Sequence, residues 1–263
     1  MREVLVIGNS HVAALKLGWD MMNPSPAGVS VRFFSAPGQG FSQLRLRGGS
    51  RFGAFKGPAT PADLVDKLRR INGNSHVDLE SFDDILIVGG VFRPNAVLSI
   101  LRDFDVDEAF DMGSSRRLSA AAFCAILHDI AEAGSPWAFW SKLLRPRVTV
   151  LPKPRPSETV RTGNIPQDDA VLQFLFGTTA SVSVPLDWHD DACAAALDRR
   201  GIGFLRQPKD TVAESGLTFA SYSRGSLRLN GAEQPANDAR HMNPDYGRRC
   251  LQDYLDHLPQ LAA

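Results

Sequence analysis

The chain has 263 residues, 43% hydrophobic and 22% charged, with 29 Lys plus Arg against 29 Asp plus Glu, a composition ordinary for a globular protein with a buried core. That balance supplies no overall basic field for nucleic acid or an anionic membrane, and no apolar run is long enough for a membrane span or a secretory signal core. Cys124, Cys193 and Cys250 are odd in number and widely spaced, which argues against a disulfide framework and for a cytoplasmic protein with reduced thiols.

Residues 4–8 (VLVIG) form a short apolar run that reads as a buried strand. It runs into Asn9-Ser10-His11 and then a helical pattern over 13–22. A second strand is expected over 29–38 (VSVRFFSAPG), stopped by Pro37 and Gly38. Residues 45–61 are glycine-rich, locally basic and loop-like, suited to an anionic substrate or to a solvated surface. A helix over 61–72 carries Leu64, Val65 and Leu68 at helical spacing. A third strand is expected over 83–90 (DDILIVGG), helices over 119–133 and 136–145, and a fourth strand over 147–156. Ser119 is a natural N-cap and Gly134 a natural stop. A helix over 188–200, a strand over 201–208, an aperiodic stretch over 210–238 and a helix over 244–258 complete the chain. The strand runs are continuously apolar, as in strands covered on both faces. Strand–helix alternation then argues for a parallel sheet with helices on either side, and the lack of repeats or linkers for a single domain over 1–263.

The turn at Gly8-Asn9-Ser10-His11 has three readings. A phosphate-cradling turn is the least supported, since neither G-x-x-x-x-G-K-[ST] nor G-x-G-x-x-G is present. Ser10 as a helix N-cap is the plain structural reading. The third is a serine nucleophile, and the far end of the chain favours it. In "NDARHMNPDYG" (237–247), Asp238 and His241 stand three residues apart before the last helix. A carboxylate so placed fixes the tautomer of an imidazole, whose other nitrogen can take a proton from a serine hydroxyl.

Other candidates have plainer explanations. Asp187, His189, Asp190 and Asp191 crowd a helix start, where acidic residues are common for dipole reasons. No third convergent zinc ligand accompanies them, so no metal is expected. His11 sits on the first helical turn with a view of substrate as the alternative, and His76, His128 and His257 have no evident partners. Trp137, Phe139 and Trp140 suit the lining of an acyl or sugar pocket, with core or lid contacts, core above all, as the plainer reading. Three prolines in "PKPRPSE" (152–158) stiffen a loop whose arginine and Glu158 are candidate substrate contacts.

"GNSH" near the start, "SAPGQGF" after the second strand and "DARHMNPDYG" near the end resemble the SGNH/GDSL hydrolase family in that order. The resemblance runs from residue 4 to about residue 258, with Asn9 standing where the family usually has Asp. It implies a three-layer α/β sandwich with a five-stranded parallel, flavodoxin-like sheet. It further implies Ser10 as nucleophile, His241 as general base and then acid, and Asp238 as its orienting carboxylate. The family's oxyanion hole would use the Ser10 N–H, Gly38 (or Gly40), and an asparagine after the third strand. The family's G-x-N-D is missing there, and Asn95 is the nearest asparagine, with Arg93 or a backbone group as alternatives. The implied activity is hydrolysis of an ester, an O-acyl carbohydrate or another small ester, without a cofactor. An O-acyltransferase using the same serine and an inactive binding module are the alternatives.

Overall fold

The computed structural model describes residues 1–22, 28–36, 38–57, 60, 61, 63–89, 92–134, 140–143, 145–163, 165 and 169–258. In chain order the strands are β1 (Arg2–Gly8), β2 (Val29–Ser35), β3 (Arg45–Arg47), β4 (Arg51–Gly53), β5 (His76–Asp78), β6 (Asp84–Val88), β7 (Asp105–Val106), β8 (Arg117–Leu118), β9 (Arg147–Leu151) and β10 (Gly203–Phe204). The helices are α1 (Val12–Asp20), α2 (Leu64–Asn72), α3 (Pro94–Asp103), α4 (Ala120–Ala133), α5 (Ala170–Gln173), α6 (Ser183–Asp198) and α7 (Pro244–Asp256).

A five-stranded sheet has the order β10-β9-β6-β1-β2, and all its pairings are parallel. Counting only its five strands along the chain, the order is 2-1-3-4-5, the flavodoxin-like arrangement, whose topological switch point lies between β1 and β6. Because side chains alternate across a strand, each apolar strand feeds two cores. Leu5, Ile7, Ile85, Ile87, Val148 and Val150 pack on one face with Leu64, Val65 and Leu68 of α2 and with Cys193, Ala196 and Leu197 of α6. Val4, Val6, Leu86, Val88 and Leu151 pack on the other with α1 and α7. A third cluster, centred on Phe123 and Leu127 of α4, joins α3, α5 and α6. The sheet is therefore the middle of three layers.

The structure trims and adds to the expected elements. The fourth strand ends at Leu151 rather than 156, because Pro152, Pro154 and Pro156 lack ladder N–H groups. The strand expected over 201–208 keeps only two paired residues, Gly203 and Phe204. Pro185 is tolerated in the first turn of α6, which begins at Ser183 instead of 188. Within the helix expected over 136–145, residues 136–139 and 144 lie outside the described residues, and Trp140–Lys142 form a 3-10 turn. The loop expected over 45–61 contains β3 and β4, an antiparallel pair extended by β5. Helix α3 was not foreseen, although Pro94 at its start and buried Val97, Leu98 and Leu101 carry its signature. Among the described residues no helix is long and apolar enough to cross a membrane.

Candidate active site

The carboxyl ends of β1 and β6 meet at the switch point. Gly8 closes β1 so tightly that a Cβ there would sit 2.1 Å from the Val88 carbonyl oxygen. Only glycine allows that approach. Asn9 follows and spans the two strand ends. Its amide nitrogen donates to the Gly89 carbonyl at 2.8 Å, and its amide oxygen accepts the His11 N–H at 3.1 Å.

This bracing directs Ser10 outward. Its hydroxyl does not cap α1, which has no side-chain cap at its N-terminus. Ser10 Oγ instead lies 2.9 Å from His241 Nε2, across 231 residues of sequence. His241 Nδ1 lies 2.6 Å from Asp238 Oδ2. With Nδ1 protonated to meet the carboxylate, Nε2 is the acceptor for the serine hydroxyl. The other Asp238 oxygen, Oδ1, accepts the backbone N–H groups of Arg240 and His241 at 2.8 and 3.0 Å. Burial pushes the Asp238 carboxyl up, but the His241 ring and these N–H donors outweigh it and hold it at about 2. Asp238 is thus a carboxylate at any ordinary pH, and it favours the imidazolium that proton uptake by His241 creates.

The turn bearing Asp238 and His241 is anchored on both sides. Asn243 caps α7 by accepting the Tyr246 N–H at 3.1 Å, while its amide nitrogen donates to the Ser221 and Arg224 carbonyls at 2.8 and 3.0 Å. The Ala239 carbonyl accepts the Ser157 N–H at 2.8 Å, tying the turn to the proline-rich loop beyond β9.

His11 is buried and stacks on His241, with ring centroids 4.9 Å apart and 20° between the planes. Its pKa is pushed well below the ordinary histidine range by burial first, and then by Lys153 and His241. His11 is therefore a neutral wall against the His241 ring rather than a second base.

The remaining candidates separate. Gly38 opens the 3-10 helix Gly38–Gln43 just past β2, and finer detail at Gly38 lies outside the described residues. Gly40, in the same turn, is buried against Leu64. Asn95 is in the first turn of α3, where its side-chain amide faces both terminal nitrogens of Arg240 at 3.2 Å, so its oxygen is assigned to that side as the acceptor. The Ser10 N–H has no acceptor among the described residues.

The expectation that Arg155 faces substrate is not met. Arg155 is 6% exposed and donates to Asp187 at 2.7 Å and Asp190 at 2.8 Å, and Glu158 accepts from Ser215 at 3.2 Å. A buried guanidinium needs such partners, so they hold it inside. That pairing accounts for Asp187 and Asp190, Asp191 is held by Arg206, and among the described residues no group of three His, Cys, Asp or Glu side chains is set to hold a metal ion. Trp140 is a core residue, 5.1 Å from the Phe52 ring; Trp137 and Phe139 lie outside the described residues. His76 stacks on Phe55, His128 lies against Arg199, and His257 contacts the Asp253 carbonyl.

Sequence reasoning missed two charges near Ser10, His241 and Asp238, those of Lys153 and Arg240. Arg240 is paired with Asp169, and Lys153 lies within electrostatic reach of His11, Arg240, Arg93, Asp238 and Asp169. Lys153 and Arg240 stand inside the quoted segments "PKPRPSE" and "DARH", but nothing local announces that those segments meet.

No family model matches the chain, and no curated protein matches it. Among solved structures it is loosely similar to the periplasmic domain of a lipopolysaccharide acetyltransferase from Salmonella ser. Paratyphi A, with TM-score 0.40 and 13% identity over 97% of this chain and 82% of that one. An extracellular lipase from Streptomyces rimosus has TM-score 0.39 and 11% identity over 96% of this chain and 99% of that one.

Proposed function

We propose that the protein is a serine hydrolase of the SGNH/GDSL type that cleaves an ester through an acyl-enzyme on Ser10. The observation that carries this reading is the relay of 2.9 Å from Ser10 Oγ to His241 Nε2 and 2.6 Å from His241 Nδ1 to Asp238 Oδ2. A serine hydroxyl is a weak nucleophile at neutral pH and gains reactivity from such a base.

In the first half-reaction Ser10 Oγ attacks the ester carbonyl carbon while His241 Nε2 takes its proton. The carbonyl electron pair moves onto oxygen, giving a tetrahedral oxyanion. The unengaged Ser10 N–H is the first donor to that charge, and the dipole at the amino end of α1 supports it. Gly38 is proposed as a second, from its position just past the neighbouring strand. Asn95 is proposed as the third, since Arg240 holds its amide oxygen and leaves Nδ2 as the donating end. The oxyanion collapses, the carbon–oxygen bond to the alcohol breaks, and His241 gives that oxygen its proton. Water then attacks the acyl-enzyme by the same route, returning the proton to Ser10. No step calls for a cofactor. The proposed substrate class is an O-acyl carbohydrate or another small ester.

A fluorophosphonate probe and 4-nitrophenyl acetate test this directly. The expected result is covalent labelling at Ser10 and ester turnover that falls by about 10⁴-fold or more in Ser10→Ala. Equal turnover in both proteins with no label on Ser10 would sink the reading. Repeating the assay with candidate sugar acceptors, and following acyl transfer to them, separates a hydrolase from an O-acyltransferase.

A further inference from the structure

The charges around the relay do not balance locally. Arg93 precedes α3 as its N-cap residue, Lys153 lies two residues beyond β9, and Arg240 sits beside the base. These three positions converge. Arg240 is bonded to Asn95 on the first turn of α3, and Lys153 borders a narrow cavity with Phe92 and Pro94 on either side of Arg93. The nearby carboxylates are already engaged, Asp238 by His241 and the turn backbone, Asp169 by Arg240. The Lys153 amine has no hydrogen-bond or ion-pair partner among the described residues, and the first turn of α3 has no acidic residue. Lysine is costly to enclose without a counter-charge, so an unpaired one beside a reactive centre marks a place for an anion.

On the serine-hydrolase reading, we propose that the substrate carries an anionic group, a carboxylate or a phosphate, close to its ester, and that Lys153 receives it with Arg93 and Arg240. Such a group completes the local charge balance and orients the ester over Ser10, so the cluster determines specificity rather than performing the chemistry. It also makes recognition pH-dependent. Burial, followed by the Arg240 and Arg93 charges, pushes the Lys153 amine down to about 8 against the opposing pull of Asp238 and Asp169. His11 faces it as well, and Arg155, His189 and Asp190 line the far side of the narrow cavity. Anion affinity therefore falls as pH rises through about 8 and the amine loses its proton.

The test begins with binding, so that it does not depend on turnover. Calorimetric titration of Ser10→Ala with succinate and with inorganic phosphate should show binding at about pH 7 that weakens about tenfold or more at about pH 9.5. Adding Lys153→Met should weaken it about tenfold at the lower pH, whereas Lys153→Arg should keep the affinity and remove the pH dependence. In the native protein, kcat/KM for mono(4-nitrophenyl) succinate should exceed that for 4-nitrophenyl butyrate, and Lys153→Met should lower the ratio about tenfold. Equal anion binding with and without Lys153 overturns the proposal. Lys153-dependent anion binding in a protein that turns over no ester would instead retire the hydrolase reading and keep the anion site. Ester turnover with no Lys153-dependent binding would do the reverse.

Discussion

At the scale of single residues, Asn9 at the end of β1 is explained by what its amide does. One end accepts the His11 N–H and the other donates to the Gly89 carbonyl. A carboxylate can make the first bond but has no hydrogen for the second. Asn9→Asp should therefore set a negative charge against a carbonyl oxygen at the switch point. It is expected to cost about 1–3 kcal/mol of stability, read from urea unfolding, and to lower ester turnover through displacement of Ser10. Unchanged unfolding and turnover would show that the bridge to β6 is dispensable. The pair Asp238 and His241 was legible because both residues lie within one turn, where spacing and chemistry can be read together. Lys153 was not legible as a site residue, and Arg93 was legible only as an alternative oxyanion donor, since each stands alone in its own segment and gains its charge role only beside the other.

At the scale of elements, the relay depends on how α1 crosses α7. The helices meet backbone to backbone: a Cβ on Gly247 would lie 1.9 Å from the Ala14 carbonyl oxygen, and one on Gly18 would lie 2.3 Å from the Arg248 nitrogen. Helix α1 begins just after Ser10 and α7 just after His241. Their close crossing thus sets the separation of Ser10 and His241. Gly247→Ala should force the helices apart, costing about 3 kcal/mol in chemical denaturation and reducing kcat more than it raises KM. Native stability and kcat in that variant would show that the crossing does not set the relay. Strands β1, β2, β6 and β9 were legible as continuous apolar runs, and their ends were shortened where prolines or glycines remove ladder partners. Helix α3 was hidden because Pro94 and Asn95 at its start suit a turn as well as a first helical turn. Phe92 adopts a positive φ of 51° and is buried against Phe204, so a conformation costly for a side-chain-bearing residue is held in place by packing. The antiparallel strands β3, β4 and β5 were hidden because two of them come from a glycine-rich run and the third from beyond α2.

At the scale of the whole molecule, the formal charge of zero conceals strong local differences. The loop beyond β9 is fastened beneath the site by Arg155, which reaches Asp187 and Asp190 on α6. His189, 2% exposed beside them, is pushed down to about 4 by burial and by the Arg155 charge. In the unfolded chain the same ring takes up its proton near its ordinary 6.5, so the unfolded state binds the proton first as pH falls. The contribution of neutral His189 to stability is thus complete above about pH 6.5 and is lost progressively toward pH 4, amounting to about 3 kcal/mol. Unfolding free energy measured at about pH 7 and about pH 4.5 should fall less in His189→Gln than in the native protein; equal decreases would count against the buried neutral ring. What the sequence by itself determined is what neighbours along the chain can express: the apolar runs of the central strands, the helix periods, and an acid–imidazole pair within one turn. The meeting of Ser10 with His241, the burial of Arg155 and the gathering of Arg93, Lys153 and Arg240 were decided by tertiary structure. Strand order and the glycine crossing of α1 with α7 act between segments far apart in the chain, where local spacing carries no distance information.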